Sequence, residues 1–241
     1  MKKITILLTG CIHPNTAEGL VINNADVRKR QYLDAIHWYL TNTPYHIVFC
    51  ENSGTDVADE IIDPEHRVEF LTYVSKPMKV DYGKGLREME IIEYAEVHSK
   101  ILMESDIIVK GTGRLVLKNI MSVVSWIEKK NLNNFCSSWM SIKMVHSDSR
   151  FFFCSPSFLK VFVSYKSRLD FKINFEKLLA ICIGENRSNF KFVYPYIWYN
   201  IEGVGGGMGE VYHFTNTQYW RLNIKNVIYY IVFNYFGYWP H

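Results

Sequence analysis

The sequence has few cysteines, and none of them are spaced to bind a metal or to form a redox centre. The five cysteines are scattered, no two of them form a C-x-x-C motif, and four lie inside apolar runs. Reduced core cysteines have this distribution, whereas disulfide scaffolds and zinc sites do not. We therefore expect a chain that works in a reducing, cytosolic compartment.

Long apolar runs are also missing. No segment contains the roughly 18–20 consecutive apolar residues that a membrane-spanning helix needs. The first apolar run, Ile4 to Leu8, ends at Thr9-Gly10 and lacks a small-residue cleavage pattern. It predicts a buried first strand and not a signal peptide.

Two motifs of nucleotide-binding enzymes are absent. No G-x-G-x-x-G follows the first strand, and no G-x-x-x-x-G-K-[ST] occurs anywhere, which disfavours dinucleotide oxidoreductases and P-loop enzymes. The net charge is only +3, which excludes a strongly electrostatic nucleic-acid binder. Residues 1–150 carry 18 basic and 19 acidic side chains, and residues 151–241 carry 9 and 5. A local basic groove is compatible with this balance.

The 241 residues suffice for one large domain with a substantial core. Short apolar runs alternate with segments of helical spacing, which predicts an α/β fold with a mostly parallel sheet flanked by helices. Strands are predicted at 4–8, 46–50, 68–73, 107–110, 141–145 and 151–153, and helices at 27–40, 86–102, 119–130, 158–165 and 174–183.

One segment organises the functional prediction. Ile107 to Lys110 has the composition of a buried strand, and Gly111-Thr112-Gly113 follows as a turn that ends at Arg114. Ligands bind beyond the carboxyl ends of central strands in open α/β sheets. Glycines there permit close approach, and arginine suits phosphate oxygens. The segment predicts a site for the diphosphate of an activated sugar.

Three further segments are candidates for the same site. Gly83-Lys84-Gly85 opens a helix and is a plausible anion site, because helix N-termini attract negative charge. Arg28, Gln31 and Tyr32 lie near the start of the first helix, where they either border a nucleotide pocket or form an ordinary solvated face. Glu51-Asn52-Ser53-Gly54 follows the second strand and either contacts the nucleotide or is simply a good turn.

Three carboxylates are candidates for a catalytic base. Asp148 lies in an Asp-Ser-Arg triplet before an apolar strand, and it either forms a salt bridge with Arg150 or faces the pocket. We favour Asp148, because its loop follows a predicted strand. Glu176 and Glu202 are the other two candidates.

The glycine-rich segment Ile201 to Tyr212 predicts a mobile lid, or else a linker to the tail. The stretch Val227 to Trp239 is almost entirely apolar and aromatic, and Arg221 and Lys225 precede it. Such a segment either lies at a bilayer interface or docks on the protein's own core.

These motifs together resemble a family of small bacterial GT-A-like glycosyltransferases of capsular polysaccharide and lipopolysaccharide O-chain synthesis. The resemblance covers the chain to about Tyr212 and is carried by Arg28-x-x-Gln31-Tyr32, Glu51-Asn52-Ser53-Gly54, Gly83-Lys84-Gly85 with Glu88, Lys110-Gly111-Thr112-Gly113-Arg114, Asp148-Ser149-Arg150-Phe151-Phe152, and Ile201-Glu202-Gly203 with the glycine-rich loop and Tyr212.

The resemblance implies transfer of a sugar from a nucleotide donor, with a UDP-sugar expected, to a lipid-linked glycan at the inner face of the cell membrane. It implies a glycosyltransferase domain over 1–212, with a nucleotide half 1–115 and an acceptor half 116–212, and a tail 213–241. Related enzymes place an Asp-x-Asp metal motif where this chain has Lys110 to Arg114. We therefore expect weak or absent dependence on Mn²⁺ or Mg²⁺, with Asp148 the first metal ligand to test.

Two other functions compete with this prediction. A nucleotidyltransferase acting on sugar phosphates would also place an α/β sheet around a nucleotide, and a non-catalytic membrane scaffold would use only the tail. The predicted donor-binding residues are Thr9, Gly10, Arg28, Gln31, Tyr32, Glu51, Asn52, Ser53, Lys84, Lys110, Thr112, Gly113, Arg114 and Arg150.

Overall fold

The computed structural model describes residues 2–14, 21–76, 82–141, 143, 145–205 and 209–235. Within these residues, the strands of the central sheet are β1 (Ile4–Gly10), β2 (His46–Glu51), β3 (Val68–Thr72), β4 (Ile107–Thr112), β6 (Phe135–Ser137), β7 (Phe151–Cys154) and β8 (Lys191–Phe192). They are ordered β3-β2-β1-β4-β7-β6-β8 across the sheet. Only β7 runs against its neighbours, so the predicted α/β fold with a mostly parallel sheet is confirmed.

Helices cover both faces of this sheet. One core joins the sheet to α1 and α4, and a second core joins its other face to α2, α5 and α6. The strand β1 is buried along its whole length, as expected for a central parallel strand between two helical layers. The helices are α1 (Ala25–Asn42), α2 (Lys84–His98), α3 (Lys100–Met103), α4 (Ile120–Lys129), α5 (Pro156–Ser164), α6 (Phe175–Glu185) and α7 (Asn216–Asn234).

A second, antiparallel sheet lies beside the turn that follows β4. It is formed by β5 (Leu115–Leu117), β9 (Ile201–Val204) and β10 (Val211–Tyr212), with β9 in the middle. The glycine-rich segment Ile201 to Tyr212, expected to be a mobile lid or a linker, contains the strands β9 and β10 in its described part. Gly203 lies in β9 with φ 128°, and a Cβ there would stand 2.6 Å from the carbonyl oxygen of Arg114, so this close strand pairing needs glycine. Residues 206–208 lie outside the described residues.

The helix predicted over 86–102 is two helices. Ser99 has extended backbone, and its hydroxyl accepts a hydrogen bond from the amide of Leu102 at 3.0 Å. The carboxylate of Glu69 accepts from the hydroxyl of Ser99 and from the amides of Lys100 and Ile101. A serine cap and a carboxylate at the new N-terminus therefore compensate for the interrupted helix.

The strand predicted at 141–145 is wrong. Positions 141, 143 and 145 are described and none belongs to a strand, while 142 and 144 lie outside the described residues. The chain forms β6 earlier, where Phe135 to Ser137 is fully buried between β7 and β8. Three residues are too few for alternation to identify a strand from sequence.

The predicted tail is largely a helix that packs on the domain. The capping box of Thr215 and Gln218 begins α7, and Phe233 packs against Tyr194 in the second core with a ring distance of 5.0 Å. Residues 236–241 of the predicted tail lie outside the described residues. Among the described helices, none combines the length and hydropathy required to cross a bilayer.

Candidate functional site

The turn after β4 is held against the end of β1. The amide of Gly113 donates a hydrogen bond to the carbonyl oxygen of Thr9 at 3.0 Å. A Cβ at position 113 would stand 2.6 Å from that oxygen and 3.0 Å from the ring of Tyr32. Only glycine fits this contact, so the turn fixes Arg114 beside the carboxyl end of β1.

Arg114 is buried, and the side chains that it contacts by hydrogen bond and by ring stacking are neutral. It is 6% exposed, its Nη1 donates to the side-chain oxygen of Gln31 at 3.2 Å, and its guanidinium lies 5.6 Å from the ring centre of Tyr32. Its Nε is buried without a hydrogen-bond partner within the described residues. Burial lowers the pKa of Arg114; Tyr32 partly offsets this effect, and the nearby charge of Arg28 adds to it. This arrangement costs free energy unless an anion binds.

Arg28 holds the loop that follows β1. Its Nε donates to the carbonyl oxygen of Cys11 at 2.8 Å, and its Nη1 donates to that of Ile22 at 3.1 Å. The hydroxyl of Tyr32 accepts from the amide of Cys11 at 3.0 Å. Arg28 is 4% exposed, so the interpretation of this helix face as solvated charge is wrong at this position.

Lys84 brings a third cation to the same region. It is the first residue of α2, after Gly83 with φ 88°. Burial lowers the pKa of Lys84, and the positive charges of Arg28 and Arg114 lower it further. Three cations from α1, α2 and the β4–β5 turn therefore act on one another at the carboxyl end of β1. We call Arg28, Lys84 and Arg114 the cation cluster.

Lys110 does not belong to this cluster. It is fully buried on the α2 side of the sheet, where its ammonium group is paired with the carboxylate of Glu88. It also donates to the carbonyl oxygen of Ser149 at 2.7 Å and lies 5.3 Å from the ring centre of Phe175. Sequence reasoning placed Lys110 with Arg114 because only four positions separate them, but the strand puts the two side chains in different surroundings.

The turn after β2 is organised by its own carboxylate. Glu51 is fully buried and accepts hydrogen bonds from the amides of Ile12, Ser53 and Thr55 and from the hydroxyl of Ser53. Asn52 donates from its side chain to the hydroxyl of Ser75 at 3.0 Å. These contacts make Glu51 a structural carboxylate, and they give Asn52 and Ser53 fixed positions at the sheet edge.

The remaining predicted donor residues line the ends of β1 and β4. Thr9 donates its hydroxyl to Glu88 at 3.2 Å, and a Cβ at Gly10 would stand 2.6 Å from the ring of Phe49. The amide of Thr112 donates to the carbonyl oxygen of Arg150 at 2.9 Å. Thr112 thus continues β4, and the predicted turn begins two residues later than expected.

Asp148 and Arg150 form the predicted salt bridge. Both carboxylate oxygens of Asp148 accept hydrogen bonds from the Arg150 guanidinium, at 3.0 and 2.8 Å. The guanidinium also lies 4.9 Å from the ring centre of Tyr212. Burial alone would lower the pKa of Arg150, but the charge and hydrogen bonds of Asp148 outweigh it and raise that pKa.

The three candidate bases have different environments. Asp148 is paired with Arg150, and Glu176 accepts a hydrogen bond from the hydroxyl of Ser149 at 2.6 Å. Glu202 lies on β9 with its side chain 47% exposed, 3.8 Å from the ammonium of Lys118 and 3.9 Å from Nδ1 of His213. Of the three, Glu202 is the carboxylate least engaged by short hydrogen bonds within the described residues.

Metal ligands do not converge in this part of the chain. Among the described residues, no group of three or more histidine, cysteine, aspartate or glutamate side chains is arranged to hold a metal ion. Asp148, the first ligand suggested from the sequence, is bonded to Arg150 instead.

A pocket of about 460 Å³ opens between β10 and the first turns of α7, and Tyr212 is in its lining. Asp148 lines a much smaller cavity of about 10 Å³, which cannot admit a sugar. Arg114 lines neither of these two cavities of the described structure. Sequence reasoning missed His213, Gln218 and Arg221, which share the larger pocket, because a helix start gives no sign of the cavity beside it.

No family model matches the sequence, and no curated protein matches it significantly. Solved structures that align with the chain include a cytidylyltransferase from Leptospira borgpetersenii serovar Hardjo-bovis, with 13% identity over 80% of this chain and 76% of that chain and a TM-score of 0.45. The galactosyltransferase LgtC, in complex with donor and acceptor sugar analogues, aligns at 7% identity over 80% and 74%, with a TM-score of 0.47. A glycosyltransferase involved in glycosylation of the major capsid of PBCV-1 aligns at 12% over 81% and 82%, with a TM-score of 0.45. Similarity at this level carries no functional conclusion.

Proposed function

We propose that the protein is a glycosyltransferase that moves a sugar from a nucleoside diphosphate donor to a glycan acceptor. The expected donor is a UDP-sugar. The observation that carries this proposal is the cation cluster. Arg28, Lys84 and Arg114 come from three separate elements at the carboxyl end of β1: Arg28 bonds to Cys11 just after β1, Arg114 follows the turn that is bonded to Thr9, and burial and the charges of both arginines lower the pKa of Lys84. Ligands of open α/β sheets bind at this position.

Such a cluster can supply the charge stabilisation that glycosyl transfer requires. As the bond between the sugar and the diphosphate breaks, negative charge accumulates on the leaving diphosphate. Fixed cations at this point stabilise that charge, and they are most effective when they are buried and need no rearrangement. The buried Nε of Arg114 has no hydrogen-bond partner in the described structure, so Arg114 is the expected main contact of the diphosphate.

Other residues of the site shape the cluster. Gln31 and Tyr32 orient Arg114, and Arg28 holds the loop at Cys11. Lys110 is proposed here to support the sheet through Glu88, because its charge is already neutralised. This division leaves the phosphate contacts to the cation cluster at the carboxyl end of β1.

The proposed acceptor base is Glu202. An inverting enzyme needs a carboxylate that can take the proton of the acceptor hydroxyl. Both oxygens of Asp148 are bonded to Arg150, and Glu176 accepts from Ser149, whereas Glu202 is half-exposed and near the larger pocket. Strand pairing places Glu202 opposite Val116, two residues after Arg114.

We further propose that the acceptor is lipid-linked and that the enzyme works at the inner surface of the cell membrane. The support is the outer face of α7. Apolar side chains are exposed there at spacings of three or four residues, which places them on one side of the helix. Residues 211–235 contain no acidic side chain, and Arg221 and Lys225 flank the row. The exposed residues are Trp220, Ile224, Ile228, Ile231 and Tyr235.

Vesicle sedimentation tests the membrane proposal. The protein should bind vesicles of phosphatidylcholine with phosphatidylglycerol, and the Ile224→Asp, Ile228→Asp double variant should lose that binding. Ile62→Asp is the matched control, because Ile62 is 89% exposed elsewhere on the surface. Unchanged sedimentation of the α7 variant would refute the membrane proposal.

A turnover screen tests the proposed function. The purified protein is incubated with UDP-, GDP-, CMP- and dTDP-sugars, with Mn²⁺ or with a chelator, and nucleotide release is measured. We expect release from one donor class, retained in the chelator and lost in Arg114→Ala, while Arg30→Ala on the exposed side of α1 is active. Nucleotide release that is equal in Arg114→Ala would refute the role of the cluster. Pyrophosphate formation from a nucleoside triphosphate and a sugar phosphate would instead indicate a nucleotidyltransferase.

A further inference from the structure

The pocket between β10 and α7 has the size and composition of a ligand site. Its volume of about 460 Å³ falls among those of small-molecule sites, which are roughly 300–1,000 Å³. It lies next to the proposed base, because Nδ1 of the lining residue His213 is 3.9 Å from the carboxylate of Glu202. The donor site proposed above does not use this pocket.

Part of the lining suits a sugar ring. Tyr212 and Phe214 supply aromatic faces, against which the C–H groups of a sugar can pack. The side-chain oxygen of Gln218 accepts from the amide of Thr215 at 3.0 Å, which fixes the amide group and leaves its N–H donors for a ligand. A fixed amide beside two aromatic rings can orient a sugar hydroxyl.

The rest of the lining favours a negative charge. Arg221 and His213 line the pocket, and none of the described lining residues is acidic. The first turn of α7, a helix of 19 residues, adds the positive end of its dipole. Of the described carboxylates near the pocket, Glu202 has two basic side chains beside it, Lys118 at 3.8 Å and His213 at 3.9 Å, and Glu210 accepts from the hydroxyl of Tyr212 at 2.7 Å.

We infer that this pocket binds the acceptor glycan through an anionic group, a carboxylate or a phosphate carried by a sugar, an inference that rests on the proposed glycosyl transfer. Tyr212 and Phe214 contact the ring, and Arg221 pairs with the anion. The pocket lies at the start of α7, whose exposed apolar row begins at Trp220, next to Arg221. An acceptor joined to a membrane lipid through phosphate would therefore reach it.

Calorimetric titration of the full chain in saturating UDP tests this inference, because UDP occupies the cation cluster. The probes are glucuronic acid, glucose 1-phosphate and the neutral methyl glucoside. We expect at least one anionic probe to bind about tenfold more tightly than the neutral one, consistent with one additional charge-assisted hydrogen bond. Preference for glucuronic acid would identify an acidic sugar, and preference for glucose 1-phosphate would identify a phosphate-linked glycan.

Arg221→Gln should remove the preference, lowering affinity for the anionic probe about tenfold while leaving the neutral probe unchanged. Arg187→Gln, an exposed arginine at the end of α6, is the matched control and should behave as wild type. Equal binding of neutral and anionic probes, unchanged binding by Arg221→Gln, or no binding of any probe would each overturn the inference. UDP binding is measured in the same experiments: its absence in wild type would refute the proposed function, and its retention in Arg221→Gln shows that only the pocket was altered.

Discussion

Two buried cations four positions apart in the sequence have opposite environments. Lys110 lies on the α2 side of the sheet, is fully buried and is paired with Glu88. Arg114 is almost as buried, but its described hydrogen bond goes to the neutral side chain of Gln31, and its Nε has no partner in the described structure. The two residues belong to one motif in the sequence and to two different sites in the fold.

This difference indicates that the partner of a buried cation distinguishes a cation that stabilises the fold from one that binds a ligand. A paired cation has its charge balanced within the protein, so removing it harms the fold. A cation with neutral partners near other cations lowers stability, and such groups are found where a charged ligand binds. Lys110 is therefore expected to govern stability, and Arg114 is expected to govern ligand binding.

The largest expected effect is on the Lys110 side. Glu88→Gln leaves the Lys110 ammonium buried without its carboxylate, and breaking a buried ion pair typically costs about 3–5 kcal/mol. Urea denaturation should show this loss in the free energy of unfolding. The double variant Glu88→Gln, Lys110→Met should recover much of it. A single variant as stable as wild type would show that Lys110 is not held by this pair.

A smaller loss of stability is expected at Asp148. Asp148→Asn removes the bidentate partner of Arg150, which is itself partly exposed, so we expect a loss of about 1–3 kcal/mol. The same variant should keep donor turnover if Glu202 is the base. Loss of turnover without loss of stability would return Asp148 to the role that the sequence suggested, and Glu202→Gln provides the comparison.

Gly113→Ala tests whether the turn positions Arg114. The added methyl group would stand 2.6 Å from the Thr9 carbonyl oxygen, so the turn must shift, at a cost of about 1–3 kcal/mol. UDP affinity should fall although no charge is removed. Gly184→Ala, where a Cβ meets nothing within 4 Å, is the control. Unaltered affinity in Gly113→Ala would show that the turn does not position Arg114.

The smallest expected effect is on pH dependence. Burial and the neighbouring arginines lower the pKa of Lys84 from its ordinary 10.5, so folded Lys84 loses its proton before the unfolded chain does. Stability should therefore rise with pH across the window below 10.5, because the unfolded chain binds more protons there. Diphosphate affinity should fall in the same window as Lys84 becomes neutral. Lys84→Arg should abolish the fall, and an identical fall in that variant would exclude Lys84.

Much of the fold follows from local sequence patterns. The continuous apolar runs of β1, β2 and β4 predict buried parallel strands, and helical spacing predicts α1, α5 and α6, whose first turns are capped by Asn24, Ser155 and Asn174. The short strands β5, β6 and β8 escape prediction because their pairing partners are distant in sequence. The break at Ser99 also depends on a distant group, the carboxylate of Glu69.

The residues of the proposed site follow from the sequence, but their arrangement does not. Spacing identified Arg28, Lys84 and Arg114 as candidates, since each lies at a helix start or at a turn after a strand. It could not separate Lys110 from them, because the pairing of Lys110 with Glu88 depends on how α2 packs across the sheet. The salt bridge between Asp148 and Arg150 is local and is one of the two alternatives that the sequence leaves open, whereas the hydrogen bond from the amide of Ile12 to Glu51 is a tertiary contact.

One measurement tests the central claim most directly: calorimetric titration of UDP into wild type, Arg114→Gln and Arg30→Gln, with urea denaturation of each protein. Loss of a charge-assisted contact to phosphate should weaken UDP binding of Arg114→Gln by at least about tenfold, while its stability stays within about 0.5 kcal/mol of wild type or rises. Arg30→Gln should match wild type in both. UDP binding that is unchanged in Arg114→Gln, or a loss of stability as large as that of Glu88→Gln, would contradict the account.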